Sequence, residues 1–398
     1  MKYGLITFKE TENIGDDIQS YSAIRFLPQI DYYIEREKMD LFVPKEKEQI
    51  VTLMNGWYLH SKLNFPLSPY IYPVFISTHI SGYESYGIKL EYLNDYSIKQ
   101  LKMYEPIGCR DTGTEKILTE RGINAYISGC LTLSIQADKK VEKEDKICLV
   151  DIDKEAEEYI KNNLKNEKYI KRTHRLNKTK NSELSWEERF NNVKKLLDEY
   201  QSSKLVITSR LHCALPCLAL GTPVLLLYDA KKAYTKDRLA DYSKIITSMS
   251  TKEFLKRGIN VINEGIINPK DYLKIRKNIE KKTKELLSNI HLNNLDKDLP
   301  DMDFYRKYYV LPKENIDNLH KVAIKRLEGN KRKNMENKYA VEYWKKEFNK
   351  LVALSNPREI LIQKNELNQM VVKYEELCME NTYLKQKLER KERKGRRK

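Results

Sequence analysis

The sequence predicts an α/β fold, two Rossmann-like domains facing each other across a cleft, followed by a helical, partly coiled-coil tail. Three stretches carry most of that expectation. Residues 205–228 read LVITSRLHCALPCLALGTPVLLLY, residues 106–134 read PIGCRDTGTEKILTERGINAYISGCLTLS, and the chain opens on KYGLITF, TENIG and DDIQSYSAIRFL. Each reads as a buried strand, a short turn and a helix, and the first two continue into another strand, as parallel sheets with crossover helices do.

Taken in chain order, KYGLITF is an alternating-to-buried strand, TENIG a loop, and Asp16 and Asp17 begin an amphipathic helix. At 106–134, PIGC is a strand with Arg110 and Asp111 at its tip. Thr112 and Glu115 have the spacing of a capping box, the helix runs to Arg121, Gly122 stops it, and INAYI is the next strand. The charged break QADKKVEKEDK closes a first domain over 1–136, and KICLVDI opens a second over 137–295 that ends on an amphipathic helix near 271–290. Between them YIKRTHRLNKTKNSE is too polar for a core and reads as a loop with His174 near its entry.

The stretch 205–228 is long enough to cross a membrane, so that reading has to be excluded. Arg210 and His212 would sit near the bilayer centre, where a charge costs roughly 2.5 to 3.5 kcal/mol, and Pro216, Gly221 and Pro223 would break the helix. Cut at its punctuation, it becomes strand KLVIT, turn SR, helix LHCALPCLAL, Gly221 as a left-handed stop, and strand PVLLLY.

After about residue 295 the pattern changes to charged helices, expected as a helical extension over 296–345 and a coiled-coil-like helix with a basic end over 346–398. Ile360, Leu367, Tyr374, Asn381 and Leu388 fall in one heptad set and Met370, Leu377 and Leu384 in the other, a spacing that suits self-association. The terminal KLERKERKGRRK is a candidate for peripheral contact with anionic lipid.

The chain of 398 residues carries a formal net charge of +16, but residues 331–398 hold 19 Lys and Arg against 10 Asp and Glu, more than half the excess. The remainder is a modest surface charge. With no zinc-finger spacing, RNA-binding aromatic motif or basic helix-turn-helix, a nucleic-acid partner is not expected. Six cysteines at 109, 130, 148, 213, 217 and 378 lack the spacing of a disulfide framework, and MKYGLITFKE lacks a signal-peptide core, so a cytoplasmic protein, free or at the inner face of the cell membrane, is expected. Cys213 and Cys217, four apart on a helix, read as small core residues rather than a metal pair.

In open α/β units ligands gather beyond the carboxyl ends of the strands, where the N-terminus of the next helix favours an anion. Arg110, Arg210 and His212 fall at such points, and Asp16 and Asp17 at another, which describes a site that holds an anion and moves protons. The ordered set NIGDD at 13–17, NGW at 55–57, PIGCRDTGT at 106–114, SGCLTL at 128–133, Thr173–His174 and VITSRLHCALPCLALGTPV at 206–224 resembles the polysaccharide pyruvyl transferase family over roughly residues 1–290.

That resemblance implies a GT-B-like arrangement and transfer of the enolpyruvyl carbons of phosphoenolpyruvate to two hydroxyls of a sugar in a cell-surface polysaccharide or its lipid-linked precursor. Phosphoenolpyruvate is then a co-substrate, and no cofactor or metal is expected. It implies Arg210 and Arg110 as donor-binding cations, flanked by Leu211 and Cys213, with His212 as the proton-transferring group. Two neighbouring guanidiniums would keep that imidazole partly neutral near pH 7. Asp16 is the candidate to take the hydroxyl proton, and Asp17, Asn55, Trp57 and His174 are candidates for acceptor binding. A glycosyltransferase with a nucleotide-sugar donor and a catalytically silent scaffold of polysaccharide synthesis remain open as alternatives.

Overall fold

A computed structural model describes residues 1–46, 48–58, 67–80, 93, 95–230 and 241–290. These residues lie within one compact unit, Met1–Leu299. The helical extension, the heptads and the basic end expected from the sequence lie outside the described residues.

The first half runs β1 (Lys2–Thr7), α1 (Ile14–Ile24), β2 (Tyr32–Glu35), β3 (Ile50–Leu53), β4 (Trp57–Tyr58), β5 (Ile71–Val74), β6 (His79–Ile80), α2 (Asp95–Met103), β7 (Ile107–Cys109), α3 (Thr112–Thr119) and β8 (Ala125–Ile127). The second runs β9 (Glu144–Val150), α4 (Lys154–Asn163), β10 (Lys168–Arg172), α5 (Lys178–Glu183), α6 (Trp186–Ser202), β11 (Ser203–Thr208), α7 (Leu211–Leu220), β12 (Val224–Tyr228) and β13 (Ser248–Ser250), and reaches a helix over Tyr272–Ser288. Two larger sheets result, in the orders β2-β1-β3-β5 and β10-β9-β11-β12-β13, with two-stranded parallel pairs β4-β6 and β7-β8 beside them. Every pairing in both is parallel. The fold is therefore mixed α/β on two parallel sheets.

The last four residues of β1, β9 and β11 are all buried, which is why these strands read as continuous apolar runs rather than alternating ones. α7 spans LHCALPCLAL, and Gly221 ends it at φ +72°, a left-handed conformation that glycine adopts without a Cβ penalty. Pro216 inside α7 has no N–H, so the carbonyl of His212 four residues earlier is denied its helical donor.

Two local expectations are corrected. α3 is capped by Asp111, whose extended backbone lets its carboxylate accept from Thr114 N, and not by a Thr112–Glu115 box. The polar stretch after residue 168 is not simply a loop: it contains β10, in register with β9, and the short helix α5 capped by Asn177. β10 is an edge strand, so backbone pairing holds it without an apolar face, and lysine and arginine are what such edges carry.

α1 follows β1 in the chain, yet Ile14 and Ile18 pack with Val150, Val206, Cys213 and Leu215 of the second half. Asp17 on α1 meets Arg189 on α6, with Nη2 2.5 Å from Oδ1 and Nε 3.1 Å from Oδ2, both side chains almost wholly buried. Arg189 also donates to the carbonyls of Phe8 and Lys9, and its guanidinium lies over the Trp186 ring. Four acceptors and an aromatic face offset the burial of that charge, which an unpaired arginine could not tolerate. The two sheets are thereby joined through α1, and their strand ends come together.

Candidate active site

Arg110 immediately follows β7. Its amide donates to Thr78 O at 2.7 Å and its carbonyl accepts from Tyr242 Oη at 2.9 Å, so its backbone is held from both halves. The guanidinium is buried. Nη1 lies 3.2 Å from Gln19 Oε1 and 3.4 Å from His212 Nε2. A guanidinium only donates, so the Nε2 lone pair faces it and the imidazole is neutral with its proton on Nδ1 in this arrangement. A proton can then be accepted only by displacing that contact.

The other side of His212 is closed by α1. A Cβ on Gly15 would lie 3.1 Å from His212 Cβ and 3.2 Å from Nδ1, so the helix approaches this closely only because residue 15 has no side chain. Asn13 caps α1 through Gly15 N. Asp16 in its first turn accepts from Thr11 Oγ1 at 2.6 Å and from Gln19 Nε2 at 3.3 Å. Gln19 thus joins Asp16 to Arg110, and through its carbonyl, which accepts from Asn55 Nδ2 at 2.8 Å, to Asn55. Arg110, His212, Asp16 and Asn55, all singled out from the sequence, are thus linked to one another through Gln19 and Arg110.

Arg210 stands two residues beyond β11 and N-caps α7 without a side-chain cap bond. Its side chain is 34% exposed, and Nε donates to Asp151 Oδ2 at 2.8 Å. Asp151 directly follows β9. Burial alone would raise its carboxyl, but hydrogen bonds from Thr173, His174 N and Arg210 hold it below the usual range.

Beside Arg110, Asp111 Oδ2 lies 2.5 Å from His79 Nδ1 while Oδ1 accepts from Thr114. Burial would raise this carboxyl as well, and the charge and hydrogen bond of His79, with Arg110 and Thr114, hold it well below the usual range. Nearby, Ser77 has a left-handed backbone at φ +56°. Ser77 Oγ and Asn55 Oδ1 are buried with no hydrogen-bond partner among the described residues. Orphaned polar atoms of this kind cost about 1–3 kcal/mol each, which a polar ligand would relieve.

The remaining candidates are placed differently. Leu211 is half-buried beside His212, and Cys213 is fully buried in the core. The Trp57 ring is 6.1 Å from His79, tilted by 49°. Asp17 is committed to Arg189, and burial pushes its carboxyl up to about 6 against the pull of that guanidinium. His174 is not a solvated loop residue: its ring is buried, with Nε2 2.9 Å from Tyr200 Oη, and only its backbone reaches the site.

Gln19, His79, Asp151 and Tyr242 were not singled out from sequence. Gln19 lies three residues after Asp16, one helical turn away, and Asp151 is the first residue past a buried strand; both positions were readable. His79 and Tyr242 carry no such mark. Among the described residues no group of His, Cys, Asp and Glu is arranged to hold a metal ion, and no helix is long and apolar enough to cross a membrane. A groove of about 540 Å³ between α1 and α6, lined in part by Tyr21, Arg25, Gln136 and Lys194, contains none of these site residues.

A model of the polysaccharide pyruvyl transferase family matches residues 13–230. No curated protein matches the chain. Similar solved structures include a functionally uncharacterized protein from Klebsiella pneumoniae, 16% identical over 61% of this chain and 88% of that one with a TM-score of 0.38. Another is UDP-GlcNAc 2-epimerase from Methanocaldococcus jannaschii, 13% identical over 72% of this chain and 99% of that one with a TM-score of 0.42.

Proposed function

The chain belongs to the polysaccharide pyruvyl transferase family, and from that premise we propose that it moves the three carbons of phosphoenolpyruvate onto two hydroxyls of one sugar, releasing phosphate and leaving a pyruvate ketal. The observation that carries this reading is the 3.4 Å contact between a buried arginine and a histidine, Arg110 and His212, beside the partly exposed Arg210. It supplies cationic donors for a carboxylate and a phosphate next to a group that can take up and return a proton. The two larger parallel sheets support a GT-B-like framework, with the donor between the tip of β7, in the β7-β8 pair, and the tip of β11 in the five-stranded sheet.

In this reading Arg110 and Arg210 hold the anionic ends of the donor. His212 Nε2 takes the proton of the first sugar hydroxyl, whose oxygen bonds to C2 of the enol, and the methylene carbon becomes a methyl group by receiving a proton. Phosphate then leaves with the C2–O bonding pair, the second hydroxyl oxygen closes the ketal, and its proton ends on phosphate or solvent. One proton goes to carbon and one is released with phosphate, so the steps balance. Asp16, half-buried and linked to Arg110 through Gln19, is positioned to orient or deprotonate the second hydroxyl. Asn55 Oδ1 would receive a sugar hydroxyl. The reaction draws on side chains for its acid, base and cations.

The test is incubation with phosphoenolpyruvate and a panel of nitrophenyl and lipid-linked glycosides, reading phosphate release together with the mass of the glycoside. Phosphate release coupled to a ketal adduct is the expected result. Turnover with a nucleotide sugar in place of phosphoenolpyruvate would overturn the reading in favour of a glycosyltransferase, and binding of neither donor would leave a scaffold.

A further inference from the structure

Arg210 is held in an unusual way for a residue meant to meet an anion. Among the described residues its side chain hydrogen-bonds through Nε to Asp151, which leaves the two terminal nitrogens of the fork outside that hydrogen bond. Asp151 is itself held. Oδ1 accepts from Thr173 Oγ1 at 2.6 Å, Oδ2 accepts from His174 N at 2.9 Å as well as from Arg210, and its backbone carbonyl accepts from Ser209 Oγ at 2.5 Å. Its backbone is left-handed, at φ +50°, a conformation that costs a non-glycine residue free energy and that recurs where function over-determines the chain.

The same carboxylate reaches the other half of the site. The segment it fixes, Thr173–His174, continues into a short pairing with the residues before α1: Ile14 N donates to His174 O at 2.9 Å, Leu176 N to Glu12 O at 2.8 Å, and Asn13 bridges Arg175. α1 begins there and presents Gly15 to His212. A single side chain at the tip of β9 therefore stands between the arginine at the tip of β11 and the helix at the tip of β1.

We propose that Asp151 is a positioning residue that aims the Arg210 fork at the anionic group of the donor and sets it in register with the α1 terminus. This rests on the donor-binding reading of Arg210 given above. Asp151 does not touch the donor. By occupying Nε it removes the rotamer freedom of a long side chain while leaving both terminal amino groups for a bidentate contact with carboxylate or phosphate.

Asp151→Asn is the discriminating variant, because asparagine tolerates the left-handed backbone and can keep its one oxygen at the Oδ2 position for His174 N, with its amide donating to Thr173 Oγ1, while losing the charge that orients Arg210. With the full chain and phosphoenolpyruvate in calorimetric titration, the dissociation constant should rise about tenfold, with KM rising more than kcat falls, as for a misaimed binding group. In an Arg210→Lys background the same change should alter affinity less than about twofold, since Asp151 acts through Arg210. Unchanged or tighter binding in Asp151→Asn, or an undiminished effect without Arg210, overturns the assignment.

Should Asp151→Asn fail to fold, Asp151→Glu keeps the charge but displaces it by a methylene, and retained affinity in that variant overturns the proposal equally. UDP serves as the second probe. If the wild type binds UDP and not phosphoenolpyruvate, the donor reading fails while the same cycle, run with UDP, still decides the role of Asp151. A wild type that binds neither anion overturns both.

Discussion

Arg110 and Arg210 stand at strand tips of the two halves, one residue past β7 and two past β11, but their surroundings differ in kind. Arg110 is 5% exposed, and its near partners are a neutral amide and a neutral imidazole; the adjacent Asp111 carboxylate is 3.7 Å away and already engaged by His79. Arg210 is 34% exposed and its charge is met directly by Asp151. A buried guanidinium that shares its one carboxylate, at 3.7 Å, with a histidine keeps more of its field for an incoming anion, because little water screens it. A partly exposed, compensated one supplies shape more than charge. On the proposed reaction, Arg110 is the electrostatic centre and Arg210 the directional one.

If so, Arg110→Gln should be the most damaging single change. It should lower turnover by about 1000-fold and also lower the unfolding temperature, because Gln19 and His212 lose a buried partner. Arg210→Lys should lower turnover by roughly 100-fold with the fold intact, since an ammonium cannot reproduce a bidentate contact. Phosphate-release kinetics and thermal unfolding measured side by side decide this, and equal stability losses in the two variants would erase the distinction. His212→Gln should lower kcat by about 100-fold with donor KM nearly unchanged, placing it with Arg110 in chemistry rather than with Arg210 in binding.

A smaller effect is expected from Gly15→Ala. Its methyl would press on His212 at 3.1–3.2 Å, and turnover should fall about tenfold through displacement of the ring. The smallest concerns acid stability. Asp111 and Asp151 both have carboxyls depressed in the folded protein, so each adds stability above the unfolded pKa near 4, and that stability is lost as pH falls through the folded value. Unfolding temperature followed from pH 6 downward should show a shallower acid limb in Asp111→Asn, and a lesser flattening in the more exposed Asp151→Asn. A larger change from the second would reverse the contrast between the two arginines.

What the sequence reveals of this site divides along the same line. The strand–turn–helix–strand at 205–228, Gly221 and the two strand-tip arginines were readable because each depends on neighbours a few residues away. Partnerships across the chain were not. Nothing local in WEERF marks Arg189 as the partner of an aspartate 172 residues earlier, and His79 with Asp111, or Tyr242 with the Arg110 carbonyl, join segments that meet only once the sheets are stacked. The misplaced α3 cap shows the converse. Thr112 and Glu115 have a valid spacing, but Asp111 at the strand exit already has the extended backbone a cap needs. β10 escaped notice because an edge strand is polar.

α1 packs against both halves: Ala23 joins Leu5 and Val51 and Ser20 donates to Ile6 O in the first, while Ile14 and Ile18 enter the core of the second and Asp17 binds Arg189. This has a bearing on recombination between relatives. A chimera cut near residue 136 would bring a foreign α1 against this α6 and α7 and put the Asp17–Arg189 match at risk, which would leave a buried arginine without its carboxylate. A transplanted first half would have to carry its own β1, which pairs with β2 and β3, but keep this chain's α1, Ile14–Ile24, against α6 and α7.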